Sequence, residues 1–171
     1  MEPSQKFGKL YIVATPIGNP KDITLRALEI LKSVDAIICE EIRQGSRLLH
    51  QLGVDNQLLP LNEHNETQEA PNIIKRLIKG ETLALISDAG TPVFADPGQH
   101  LLGLLYKSGI PISPIPGPSS LMTALSLVDF PIDQFRFAGF PPQKNDLREG
   151  FLSKFAHENI PVILMDTPYR L

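Results

Sequence analysis

Short, almost unbroken apolar runs, each followed by a longer segment of helical periodicity, constrain this chain more than any other feature. Leu10–Thr15 reads LYIVAT, Asp35–Glu40 reads DAIICE and Thr82–Ile86 reads TLALI. A strand with so few polar positions needs cover on both faces. Between the runs, apolar residues recur at helical spacing: Leu25, Leu28, Ile30 and Leu31; then Leu48, Leu49 and Leu52; then Ile73, Ile74, Leu77 and Ile78. Strand and helix in alternation, with strands buried on both faces, predict an α/β domain with a mostly parallel sheet between two helix layers.

The remaining elements follow from their punctuation. Asp22 is the expected N-cap of the first helix, Ile42–Leu52 the second helix and Leu58–Leu61 a short strand. Thr67–Lys79 is an amphipathic helix stopped by Gly80, and a helix over Gly98–Lys107 ends at Gly109. Ile110–Ile115 is a strand carrying Pro111 and Pro114, which suits an irregular or peripheral position. A helix over Ser119–Leu127 follows. After Asp129 prolines cluster around Phe135–Phe140, and a helix over Asp146–His157 and a strand at Val162–Met165 come next. This texture predicts a first domain over residues 1–130 and a second α/β domain over 131–171. Thr167-Pro168 has the form of a helix start, so the second domain looks cut off as its next element begins.

Composition narrows the function classes. With 42% hydrophobic and 20% charged residues, the 171-residue chain can build a sizeable core. One cysteine excludes a disulfide framework, and four scattered histidines show no metal-ligand spacing, so no metal is expected. No apolar run reaches the length of a membrane span and residues 1–6 lack a signal-peptide core, so a cytoplasmic protein is expected. A net charge of −3 argues against a broad nucleic-acid surface but leaves room for a local basic patch.

Three loops follow strands and could gather at one sheet edge: Pro16-Ile17-Gly18-Asn19, Ser87–Gly98 and Pro116-Gly117-Pro118-Ser119-Ser120. Ligands of open parallel sheets bind beyond the carboxyl ends of the strands. Glycine admits close backbone approach there, and proline stiffens the loop. None of the three is a dinucleotide fingerprint or a P-loop, and no lysine stands beside the glycines. The set suits a ligand held by backbone groups and apolar walls. Asp88 and Asp96 could form an acid/base pair, although Asp96 before Pro97 and Gly98 also suits a helix cap. Glu40-Glu41 suits a solvated strand end, Cys39 a buried small hydrophobe, and His64 and His100 surface positions.

The segments KLYIVATPIGNPKDITLRALEILKSVDAIICEE, ALISDAGTPVFADPG and ISPIPGPSSLMTALSLVDFPIDQFRFAGFPPQK closely resemble the tetrapyrrole methylase superfamily. Within it they are similar to the ribosomal RNA small subunit methyltransferase I family, from about Lys9 to the end of the chain. The T-P-I-G-N and S-D-A-G-T-P blocks in this order are highly specific. The resemblance implies an S-adenosylmethionine-dependent methyltransferase of two α/β domains, a homodimer, with the cofactor in the cleft between the domains. It implies as substrate a cytidine ribose 2′-hydroxyl in small-subunit (16S) ribosomal RNA. By the same match Ile17, Gly90, Thr91, Phe94, Ala95, Ser119 and Ser120 would line the cofactor, with Met165 from the second domain.

No side chain stands out as a general base, and Asp88 is the nominee. The chain departs from the family pattern at Glu41-Ile42, at Val93-Phe94-Ala95 and at Met165–Arg170, near surfaces where a substrate would lie. A same-fold methylase of a small, tetrapyrrole-like molecule and a cofactor-binding module without catalysis therefore stand as alternatives. Any RNA contact is expected from Arg43, Arg47, Lys144 and Arg148.

Overall fold

The computed structural model describes residues 7–94 and 96–166. Ala95 and the expected helix start at Thr167-Pro168 lie outside them. The chain divides between Ser126 and Leu127 into two compact units, just before the proline-rich stretch that follows Asp129.

In the first unit the strands are β1 (Leu10–Val13), β2 (Ala36–Cys39), β3 (Leu58–Pro60), β4 (Leu83–Ile86) and β5 (Ile112–Ile115). They form one parallel sheet in the order β3-β2-β4-β1-β5. The helices are α1 (Leu25–Ser33), α2 (Ile42–Leu52), α3 (Glu66–Ile78), α4 (Gln99–Ser108) and α5 (Ser120–Leu125).

The continuous apolar runs have a direct cause in this arrangement. Successive strand residues point to opposite faces. Leu83 and Leu85 of β4, with Ala36 and Ile38 of β2, pack on Ala70, Ile73 and Leu77 of α3 and on Leu101 and Leu105 of α4. Ala84 and Ile86, with Ile37 and Cys39, pack on Ala27 and Leu31 of α1 and Leu49 of α2. All four residues of β2 and of β4 are buried. Each fully buried Leu or Ile contributes about 1.5–3 kcal/mol relative to exposure. β5 lies at the edge of the sheet, where Pro114, opposite Ile12, has no N–H to offer a further strand.

Local punctuation differs from expectation in two places here. The N-cap of α1 is Thr24, whose Oγ1 accepts from the Ala27 N–H at 3.1 Å. Asp22 instead closes a 3₁₀ turn, Pro20–Asp22, capped by Asn19. A proline-started turn thus intervenes before the helix. The α4 helix is preceded by Gly98, not capped by Asp96. Its Leu101 N–H donates to Glu66 Oε1 at 3.0 Å, so a carboxylate from α3 takes the capping role.

The second unit contains β6 (Arg136–Gly139) and β7 (Val162–Leu164), paired in parallel, and α6 (Asn145–Leu152). The single helix expected over Asp146–His157 ends at Leu152 and continues as a 3₁₀ turn, Ser153–Phe155. Phe151 and Phe155 pack edge to face with centroids 5.3 Å apart, and Arg136 is paired with Glu158.

Candidate functional site

The helix after β1 lies on one face of the sheet and the helix after β4 on the other. β1 and β4 are neighbours. Their carboxyl ends therefore flank a crevice, which is where open α/β sheets bind ligands. The loops leaving these strands meet across it. Thr15 and Gly90 exchange both backbone hydrogen bonds, Thr15 N–H to Gly90 O at 2.8 Å and Gly90 N–H to Thr15 O at 3.1 Å. The buried Thr15 hydroxyl donates to Ser87 O at 3.1 Å, and Ser87 Oγ donates to Gly90 O at 3.2 Å.

The loop after β5 joins the same cluster. Thr91 Oγ1 donates to Pro118 O at 3.2 Å. A Cβ on Gly117 would lie 3.0 Å from Ala14 Cβ, so glycine lets this loop approach the end of β1. A Cβ on Gly90 would lie 3.2 Å from Ile17 Cγ2, and Gly90 has φ +86°. The middle loop is thus joined to both of the others, and the third also reaches the end of β1. The middle loop also holds Val93 at φ 72°, a conformation that a β-branched residue adopts only under strain. Its side chain lies against Gly98, where φ is +123°.

The expected cofactor residues are placed as follows. Ile17, Gly90 and Thr91 stand together at the loop junction. Ser119 caps α5, accepting from the Met122 N–H at 3.4 Å, and Ser120 is its exposed first residue. Phe94 is 51% exposed, unusual for a phenyl ring in a stiff loop. Met165 belongs to the second unit, where its N–H donates to Gly139 O at 3.0 Å. The described donor set is neutral hydroxyls and backbone groups beside exposed apolar side chains. That chemistry fits a nucleoside carrying an amino-acid chain and does not fit a triphosphate.

Two cavities at this edge have opposite character. One, of about 460 Å³, is lined by Glu40, Glu63, Glu66 and Asp96 with Pro97 and Gln99. Burial pushes the Glu40 carboxyl above its ordinary value, and the charges of Asp88, Asp96, Glu63 and Glu41 push it further. Burial also raises Asp96; a hydrogen bond from Ser87 lowers it, and the Asp88 charge raises it. The other, of about 360 Å³, is lined by the Pro16–Gly18 loop, Pro20, Gln44, Arg47, Leu48, Gln51, Asp88 and Ala89. Burial raises the Asp88 carboxyl too; a backbone hydrogen bond from Glu41 lowers it, and the Glu41 charge raises it.

Gln44 and Gln51 were not among the sequence candidates. Their spacing of three and four residues from Arg47 places all three on one helix face, a signal readable in the sequence. Arg148 is committed to structure, donating to Pro142 O at 3.1 Å and Gln143 O at 3.3 Å. Cys39 is buried with its thiol pushed up to about 11 by burial, then by the charges of Asp88 and Glu41. His64 is exposed beside Glu63, and His100 is exposed. Among the described residues no group of three or more His, Cys, Asp or Glu is arranged to hold a metal ion, and no helix is long and apolar enough to cross a membrane.

Comparison with known proteins is consistent with this geometry. The native form of uroporphyrin III C-methyl transferase from Thermus thermophilus superposes with a TM-score of 0.61 at 17% identity, covering 78% of this chain and 59% of that one. A second uroporphyrin-III-C-methyltransferase structure from the same organism gives 0.57 at 23% identity, covering 79% and 60%. At those identities the likeness concerns the fold. The chain is 43% identical over 164 residues to ribosomal RNA small subunit methyltransferase I of Escherichia coli O157:H7, covering 96% of this chain and 57% of that protein. It is 45% identical over 164 residues to the protein of that name from Xylella fastidiosa, covering 96% of this chain and 60% of the relative. It therefore spans less than two thirds of these curated relatives. The model of the tetrapyrrole (corrin/porphyrin) methylases matches residues 9–171, and with the switch-point loops in place the chain belongs to that family.

Proposed function

We propose that this chain is an S-adenosylmethionine-dependent methyltransferase acting on small-subunit ribosomal RNA, with a cytidine ribose 2′-hydroxyl as acceptor. The observation that carries the reading is the junction of three loops at the switch point, where the middle loop meets the first through Thr15–Gly90 and Ile17–Gly90 and the third through Thr91–Pro118. The 43–45% identity to relatives named for ribosomal RNA favours RNA over a small-molecule acceptor.

The residues Ile17, Gly90, Thr91, Phe94, Ala95, Ser119 and Ser120, with Met165, would hold the cofactor. When bound, it supplies a methyl group already activated by the positive charge on sulfur. The chain's own task is alignment, exclusion of water and removal of one proton. In this reading the bonded loops give the alignment, and the half-buried Ile17 and exposed Phe94 side chains supply apolar cover. Asp88 takes the acceptor's proton, its raised basicity bringing it nearer the working pH than an ordinary carboxylate. A homodimer in the cytoplasm belongs to the same reading.

Two measurements test it. Calorimetry with S-adenosylhomocysteine should show binding that Phe94→Ala weakens about tenfold, roughly 1.4 kcal/mol; Phe94 is exposed enough for the variant to fold. Labelled-methyl transfer to small ribosomal subunits should fall about 10²–10⁴-fold in Asp88→Asn. In the parent, the rate should rise with pH through the raised Asp88 value and then level off. Transfer to a small molecule with none to ribosomal particles would overturn the RNA acceptor.

A further inference from the structure

The cavity on the α2 side of the crevice adjoins the loop junction and extends beyond it to the polar face of α2. Gln44, Arg47 and Gln51 form one wall. Opposite stand Pro16, Ile17, Gly18 and Pro20, with Asp88 and Ala89 at the edge. Within the described residues Arg47 makes no hydrogen bond or ion pair, and the two glutamine amides are likewise uncommitted. A guanidinium offers five donors in a planar fork, and each amide adds two more. Two prolines hold the facing loop, so little ordering is needed on binding.

The position matters as much as the chemistry. Ile17 both lines this cavity and lies against Gly90. The cavity is therefore one side chain away from the loop junction. The companion cavity on the α3 side presents Glu40, Glu63, Glu66 and Asp96, and would repel a phosphate. An RNA strand crossing this edge has one hospitable side.

We propose that this cavity is a nucleotide subsite: Arg47, flanked by Gln44 and Gln51, holds an RNA phosphodiester next to the acceptor ribose. Asp88 sets the polarity of the bound nucleotide. A carboxylate repels a phosphate and accepts a hydroxyl, so the phosphate lies toward Arg47 and the sugar toward Asp88. Arg43, exposed one turn earlier on α2, extends the same basic face. The inference rests on the RNA acceptor proposed above.

Filter binding of small-subunit ribosomal RNA to the full chain, across a salt series, tests the subsite separately from catalysis. Arg47→Gln, at an exposed helix position, should weaken RNA binding at least about fivefold at ~0.1 M salt. The slope of log affinity against log salt should become shallower by about one phosphate contact. Arg47→Lys should restore the slope, and affinity for S-adenosylhomocysteine should not change in either variant. Unchanged RNA affinity and slope in Arg47→Gln would overturn the subsite. A parent that binds the RNA but methylates none of it would overturn the acceptor reading, leaving the Arg47 comparison to decide the subsite. A parent that does not bind the RNA would overturn both.

Discussion

The two parallel sheets described in the two units end in different states. In the first unit every residue of β2 and β4 is buried. In the second, no residue of β6 or β7 reaches that class, and Pro141 is the one buried residue among those described. The pairing is the same; the cover is not. Helices on both faces of the first sheet turn each apolar residue into core, whereas a two-stranded sheet has too little surface to exclude water by itself. Large apolar side chains accordingly remain exposed in the second unit, with Phe130 at 54% and Leu147 at 58%. Strand pairing orders the backbone, but burial by a second layer supplies most of the stability.

Core truncation should break the comparison most clearly. Leu31→Ala, at a fully buried position between α1 and the sheet, should cost about 2–5 kcal/mol in denaturant unfolding. Ile163→Ala in half-buried β7 should cost about 1 kcal/mol or less. Equal losses would show that the second sheet is as well covered as the first.

Glycine replacements should differ in sign. A Cβ on Gly45 would lie 2.9 Å from Cys39 Sγ, in the contact of α2 with β2, so Gly45→Ala should destabilise by about 1–3 kcal/mol. Gly150 lies in α6 with nothing within 4 Å of the added carbon. There Gly150→Ala should stabilise by about 0.5–1 kcal/mol through helix propensity. Thermal melts of the two variants check this.

The smallest effect concerns charge at the edge of the well-packed unit. The folded-state value of Glu40 is raised, so its charged form opposes folding. The protein is free of that cost below the unfolded value, near 4.5, and incurs it as pH rises through the folded value. Glu40→Gln should therefore raise Tm by about 1–2 °C at pH 7, with the gain vanishing near pH 4. A gain that persists in acid would assign the effect to packing.

How much of this was legible beforehand differs by element. The two-faced strands and the helix stop at Gly109, in the left-handed conformation, follow from local pattern. The edge position of β5 follows from Pro114. The cap of α1 falls two residues beyond the expected Asp22 because Asp22 and Thr24 are both N-cap residue types, and Asp22 is taken up in the 3₁₀ turn that Asn19 caps. The Gln44–Arg47–Gln51 wall was overlooked because polar helix faces usually meet only solvent.

The sequence alone determined which segments are strands, which are helices and which loops are too stiff and glycine-rich to be simple turns. Those properties act through periods of two and 3.6 residues and through the φ preferences of single residues. Only the tertiary structure decided that β1 sits between β4 and β5, and hence that Thr15 meets Gly90 and Thr91 meets Pro118. The same holds for Glu66 capping a helix that begins at Gln99, and for the four carboxylates gathered from separate segments around one cavity. Each of these contacts joins residues far apart in sequence. Its existence depends on which way each connection crosses the sheet, and no local pattern encodes that.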